Sequence, residues 1–243
     1  LNLSMNKDRF YYDEKFLGSM SGRPLRILSE YLGPLGVLQR NKIRDTIVFF
    51  GSARTKENSD YYIKARELAF KLTKWNVKNY KDEHRYVIAT GGGPGIMEAA
   101  NRGAKEAGGK SVGFGISLPF EQTNNKWITK GLNFVFHYFF MRKFWFTYLA
   151  KAVVLFPGGY GTLDELFETL TLLQTGKIRK HLPLVLFGTD YWNQVIDFSA
   201  LVDNGMIAPG DLDLFISTDS VDTAFDHIVE ALTTYGLIER GSI

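Results

Sequence analysis

Ala152-Val153-Val154-Leu155-Phe156-Pro157-Gly158-Gly159-Tyr160-Gly161-Thr162-Leu163-Asp164-Glu165 changes character twice along its length. Residues 152–156 are continuously apolar, as a strand covered on both faces should be. Residues 157–161 bring a proline and three glycines, a turn in which a ligand can approach bare N–H groups. From Thr162 onward Leu163, Leu166, Phe167, Leu170 and Leu173 recur at helical spacing. Strand, glycine turn and helix make one βα unit, and a helix N-terminus facing such a loop attracts an anion. Glu165 stands one turn in, beside that expected anion site. A phosphate cradle with an acid next to it points to chemistry on a phosphorylated small molecule.

The same alternation runs through most of the chain. Further strands are expected at 46–50, 86–90, 111–117, 132–137, 182–187 and 214–217. Helices are expected at 61–75, 96–107, 138–149, 162–175, 191–202 and 221–235. This order implies an α/β fold: a doubly wound, mostly parallel, Rossmann-like sheet with helices on both faces. Ligands in such folds bind outside the carboxyl ends of the strands. Glycine-containing loops follow the first, second and fifth strands, so all three lie at that edge. Residues 43–243 read as a single domain, and 1–42 as an N-terminal extension. In the extension Leu25, Leu28 and Leu32 recur at helical spacing after Pro24, and Gly33-Pro34 reads as the stop. That arm is expected to cover the main domain or a neighbouring subunit. Residues 76–85 read as a charged, solvated connection.

Composition removes several classes of function. With 29 basic and 26 acidic residues the net charge is +3, too weak to argue for nucleic acid. The chain has no cysteine, which excludes disulfides, thiol nucleophiles and thiolate metal sites. Its four histidines are scattered without metal-ligand spacing, so no metal is expected. No apolar run approaches the ~18 residues of a membrane span. Residues 1–14 are charged and lack an apolar signal core, so a cytoplasmic protein is expected.

Each candidate residue has a structural reading beside the functional one. Gly91-Gly92-Gly93-Pro94-Gly95 is either a tight strand-to-helix turn or a ring of N–H groups around a phosphate or ribose. Ile96 stands where a dinucleotide fingerprint needs its last glycine, and no Gly-Lys-Ser/Thr follows, so neither that fingerprint nor a Walker loop fits. Glu98 and Asn101 behind it read equally as packing or capping residues. Thr162-x-x-Glu165 has the form of a capping box, which would spend Glu165 on the helix itself. Against that, Glu165 and Thr171 lie off the apolar face of their helix. Arg142 and Lys143 sit near the start of a strongly apolar helix, where cations oppose its dipole. An anionic ligand, or a carboxylate such as Glu165, accounts for them better than a solvated surface. The aromatics around them read as core or a helix–helix interface. Glu121 and Arg54 are weaker candidates, both in loops at the ligand edge.

Three stretches carry a resemblance: 91–99 (Gly91-Gly92-Gly93-Pro94-Gly95-Ile96-Met97-Glu98-Ala99), Met141-Arg142-Lys143, and 157–165. Together they resemble the Lonely Guy family, cytokinin riboside 5′-monophosphate phosphoribohydrolases long mislabelled as lysine decarboxylases. The resemblance covers about 46–235. It implies cleavage of the N-glycosidic bond of a nucleoside 5′-monophosphate to free base and ribose 5-phosphate, without a cofactor. By position, Arg142 and Glu165 match the family's catalytic pair. Lys143 and the run from Gly159 through Tyr160, Gly161 and Thr162 to Glu165 match its nucleotide-binding residues. Ser52, Gly92 and Gly93, in the other glycine loops, are candidate substrate-binding residues by their place at the ligand edge. Glu121 resembles a loop glutamate that contacts substrate, and Thr171 a further binding threonine. The resemblance also implies a homodimer with each site near the subunit interface. The plant enzymes usually have a different second glycine loop and lack the arm and the 76–85 insert, which places this chain nearer the longer bacterial branch. A non-catalytic nucleotide or molybdenum-cofactor carrier is the alternative. A nicotinamide oxidoreductase is disfavoured by the failed fingerprint, and pyridoxal-phosphate decarboxylation by the lack of a marked lysine.

Overall fold

The computed structural model describes residues 9–80, 85–118 and 125–235. Seven described strands form one sheet: β1 (Thr46–Phe50), β2 (Val87–Thr90), β3 (Ser111–Ile116), β4 (Asn133–Phe136), β5 (Ala150–Leu155), β6 (Leu184–Phe187) and β7 (Ile216–Thr218). The order is β4-β3-β2-β1-β5-β6-β7, and every neighbouring pair is parallel. From β1 the chain winds outward through β2, β3 and β4, then returns to place β5 on the other side of β1. The strand order therefore reverses between β1 and β5, and the ligand crevice of a doubly wound sheet opens at that seam.

The described helices are α1 (Glu14–Gly18), α2 (Arg23–Arg40), α3 (Asp60–Asn79), α4 (Ile96–Glu106), α5 (Phe139–Leu149), α6 (Tyr160–Gln174), α7 (Thr189–Val195), α8 (Phe198–Asp203) and α9 (Val221–Tyr235). Side chains of β1 alternate between the two faces of the sheet. Ile47 and Phe49 join a core with residues of α3, α4 and α9. Val48 and Phe50 join the opposite core, with residues of α2, α5, α6 and α7. Both faces are covered, so the strand reads as an unbroken apolar run. Burying each such side chain is worth about 1.5–3 kcal/mol relative to leaving it in water.

Four local expectations are corrected. Gly33-Pro34 does not stop the arm's helix: α2 runs from Arg23 to Arg40 with Pro34 inside it. Proline removes the amide that would bond the carbonyl four residues back, here that of Glu30. The freed carbonyl instead accepts a hydrogen bond from Trp145 Nε1 at 3.0 Å, so the interruption costs little. The arm covers the domain, but through Ile27, Tyr31, Leu35 and Leu38; Leu25, Leu28 and Leu32 stay about half exposed. The stretch expected to be a solvated connection is helical to Asn79. Asn76 is buried, and Arg85 is held against Asp45 at 2.7 Å in a largely buried ion pair. The expected helix 191–202 is two short helices, because Asp197 caps a new start by accepting from the Ala200 amide.

Candidate active site

A cleft of about 620 Å³ opens at the carboxyl edge of the sheet, over the β1/β5 seam. Its floor is made by the loops that follow β1 and β5, which are tied together. The Ser52 amide donates to Pro157 O at 2.9 Å, and the Ile96 amide donates to Ser52 O at 3.1 Å. The second tie needs a glycine at 95, where φ is +69° and an added Cβ would lie 2.3 Å from Ser52 O. Gly158 is equally constrained, since its Cβ would meet Thr162 Oγ1 at 2.1 Å. Gly159 and Gly161 differ: a Cβ there would meet nothing within 4 Å. Packing does not require them to be bare; open approach to the helix start does.

The capping-box reading of Glu165 fails in the structure. α6 begins at Tyr160, with Gly159 as its N-cap and no side-chain cap. The helix therefore starts before Thr162, and the Thr162 amide bonds to Gly159 O at 2.9 Å. The amides of Tyr160 and Gly161, in the first turn, have no acceptor within the helix. Both residues line the cleft, and a helix start of this kind is a candidate anion site.

Glu165 is buried, at 4 % exposure, and lines the cleft. Arg142 Nη2 approaches its Oε1 at 3.6 Å, too far for a hydrogen bond. Among the described residues Glu165 Oε1 and Arg142 Nε, both buried, find no hydrogen-bond partner. An unspent acceptor and an unspent donor thus sit side by side on the cleft wall. Buried polar groups are normally satisfied, which makes this pair the candidate contact for a ligand. Burial pushes the Glu165 carboxyl up to about 7, against the pull of Arg142 and Lys143. Burial likewise lowers the Arg142 pKa, opposed by Glu165 and Asp164; a guanidinium still keeps its proton at neutral pH.

Arg142 is held by aromatic faces. Its Cζ lies 5.0 Å from the Phe139 ring centroid and 5.8 Å from that of Phe146. Both rings line the cleft with Phe50, Met97, Ile116 and Leu118. This apolar half had been read as core or helix interface. The signal for its second role was the i, i+3, i+7 spacing of 139, 142 and 146, which places all three on one helix face. Tyr191 was also missed. It lines the cleft, and its hydroxyl donates to Gly158 O.

The remaining candidates divide. Ser52, Arg54, Gly159, Tyr160, Gly161 and Thr162 line the cleft with Arg142 and Glu165. Lys143 does not line it. One residue along the helix it points elsewhere, 2.8 Å from both Asp164 and Glu168, and pins α5 to α6. Burial opposes its charge, but those two carboxylates outweigh this and raise its pKa. Gly92 and Gly93 are buried behind the cleft, and Gly91 is the glycine of that loop that reaches it. The Gly92 amide donates to Thr90 Oγ1, and its carbonyl accepts from both the amide and the side chain of Asn125. Asn125 Nδ2 also donates to Gly93 O and to Asn101 Oδ1, so Asn101 belongs to a buried network that holds the loop. Glu98 accepts from Trp127 Nε1. Thr171 is exposed, away from the cleft wall, with its hydroxyl on Phe167 O. Glu121 lies outside the described residues. Among the described residues no group of three His, Asp or Glu is placed to hold a metal, and no helix is long and apolar enough to cross a membrane.

Comparison with known proteins identifies the family and the fold. A family model described as possible lysine decarboxylase matches residues 97–228. The chain is 29 % identical over 184 residues to cytokinin riboside 5′-monophosphate phosphoribohydrolase LOG3 of Arabidopsis thaliana, covering 74 % of this chain and 79 % of that protein. It is 27 % identical over 206 residues to LOG5 of the same plant, covering 84 % and 83 %. Among solved structures, the Moco carrier protein of Chlamydomonas reinhardtii superposes with a TM-score of 0.53 at 23 % identity, over 79 % of this chain and 99 % of that one. The molybdenum cofactor binding protein of Rippkaea orientalis gives 0.52 at 19 %, over 78 % and 98 %. At that identity the structural likeness establishes the shared Rossmann-like fold. With the family model matching more than half of its length, the chain belongs to the Lonely Guy family, the one still labelled possible lysine decarboxylase.

Proposed function

We propose that this protein hydrolyses the N-glycosidic bond of a nucleoside 5′-monophosphate, an AMP-like or cytokinin riboside monophosphate substrate, to free base and ribose 5-phosphate. The observation that carries the reading is the buried Glu165–Arg142 pair beside the start of α6, with its unspent acceptor and donor facing a cleft. Glycosidic cleavage passes through an oxocarbenium-like sugar. Ionised Glu165 stabilises that positive charge and takes a proton from the attacking water as its oxygen bonds to C1′. The C1′–N bond breaks, and its electron pair leaves with the base, which gains a proton. The amides of Tyr160 and Gly161, on the dipole of α6, hold the 5′-phosphate. Arg142 favours the ionised form of Glu165 and offers its Nε to the ribose or the departing base. Phe139, Phe146 and Met97 give the base an apolar wall.

The test is incubation with a panel of nucleoside monophosphates, with chromatography for free base and ribose 5-phosphate. Base release by the wild type, abolished in Glu165→Gln while nucleotide binding persists, is the expected result. Full turnover in Glu165→Gln refutes the assignment. Tight ligand binding without turnover across the panel favours the carrier reading. A homodimer or higher homo-oligomer is part of the proposal, supported by the exposed apolar strip Leu25, Leu28 and Leu32; light scattering on the purified protein decides it.

A further inference from the structure

α5 carries Arg142, yet its own sequence anchors it poorly. Its N-cap, Tyr138, makes no side-chain cap, and no acid stands in its first turn. Arg142 and Lys143 near that end oppose the helix dipole. Both ends are instead held from outside. At the N-terminus the Glu30 carboxylate, on α2, accepts from the His137 amide at 2.7 Å and the Tyr138 amide at 3.3 Å. At the C-terminus the buried Lys180 ammonium donates to Thr147 O at 2.9 Å and Tyr148 O at 3.2 Å. An anion at the start and a cation at the end are the arrangement the dipole favours. Glu30 grips the helix a second time, through the carbonyl that Pro34 leaves free and Trp145 Nε1 occupies. Two contacts, at the start and along the body of α5, fix its axial position.

That position matters because the Arg142 amide bonds to Tyr138 O, one turn from the Glu30 anchor. The guanidinium stands 3.6 Å from Glu165, so a small slide of α5 changes their attraction. We propose that Glu30 and Lys180 are positioning residues that set the distance between Arg142 and Glu165. The arm ahead of the sheet is, on this view, part of the machinery of the cleft. The inference rests on the functional reading above for its consequence in turnover, but its structural core is testable without substrate.

The charged groups facing Glu165 are Arg142 and Lys143 on α5 and Asp164 and Glu168 on α6, with Arg54 across the same cleft. A slide of about 1 Å away from Glu165 would raise its titration midpoint by roughly 0.5–1 pH, at an effective dielectric of about 20. The experiment follows the Glu165 carboxyl carbon by NMR in glutamate-labelled protein, with the signal assigned by its loss in Glu165→Gln. Glu30→Asp keeps the charge and shortens the reach, so the midpoint rises. Glu30→Gln keeps the reach and an acceptor oxygen but loses the charge, so the midpoint stays near the wild-type value. Loss of a distant negative charge alone would lower it. In turnover, Glu30→Asp is expected to lose about tenfold in kcat with little change in KM, because the phosphate-holding start of α6 is untouched. A Glu165 midpoint in Glu30→Asp that is unmoved or lower overturns the proposal. If the wild type releases no base from any nucleotide, the functional reading falls while the midpoint still decides this one.

Discussion

Replacing Glu165 by glutamine should change the pH dependence of stability in a calculable way. Glu165 is almost wholly buried, and its carboxyl sits at about 7 against an ordinary 4.5. The cause is burial, which disfavours the charged form. A raised carboxylate pKa means that the folded state binds the proton more tightly than the unfolded state. Stability from this group is therefore fully present below pH 4.5 and is lost as pH rises through about 7. At about 1.4 kcal/mol per tenfold in proton affinity, the loss is about 3 kcal/mol. Glutamine keeps the shape and cannot ionise, so the variant escapes that loss. Relative to wild type it should gain up to about 3 kcal/mol between pH 4.5 and pH 8, on top of a pH-independent offset for exchanging the neutral carboxylic acid for an amide. Urea unfolding of both proteins at pH 4.5, 6, 7 and 8 measures the difference. A difference that stays flat over this range would refute the reasoning, because Glu165 would then titrate like an exposed acid.

Four further outcomes follow from the same structure. On the proposed reaction, which uses ionised Glu165, base release in the wild type should rise with pH through about 7; Arg142→Ala should move that rise to higher pH and lower kcat by about 10²–10³, read from pH–rate profiles. Gly158→Ala should destabilise the fold by about 1–3 kcal/mol in thermal melts, because its Cβ would strike Thr162. Gly161→Ala should melt like wild type and weaken nucleotide binding, since its methyl enters open space at the anion end of α6. Asn125→Ala, which strips donors from two glycine carbonyls and Asn101, should cost about 1–3 kcal/mol, visible as a lowered urea midpoint.

The fold was legible because its core strands are apolar on both faces and end in glycine. β1, β5 and β6 announce themselves by composition, and the glycines after β1, β2 and β5 place the cleft at one edge. What stayed hidden was tertiary substitution for local signals. Pro34 looks like a helix stop until Trp145 supplies the missing donor, 111 positions farther along the chain. Thr162 looks like a cap until the helix is seen to begin at Tyr160. At the site, Arg142 and Glu165 were readable because a cation at the wrong end of a dipole and an acid beside an anion cradle are each locally costly. Lys143 was readable as a charge seeking a partner, but sequence adjacency hid its partners, Asp164 and Glu168. Phe139 and Phe146 read as packing in sequence because aromatic spacing looks the same on a core face and on a cleft wall. Asn125 gave no signal at all, since a lone asparagine in a polar loop has no period.

The pairing of β1 with β5 also governs when the site comes into being. Thr46–Phe50 must wait for Ala150–Leu155, about a hundred residues later, before the central seam of the sheet can close. During synthesis β1 and β2 can pair early, and β3 and β4 can extend that half outward. That half alone carries Arg142 and the loop at Ser52 but neither Glu165 nor the start of α6. Contacts this distant in sequence form late and slowly. A nascent or truncated chain ending before β5 would therefore hold a folded-looking half without a complete cleft, and would expose the apolar edge of β1 to aggregation. Competence and protection of the sheet's centre arrive in the same step.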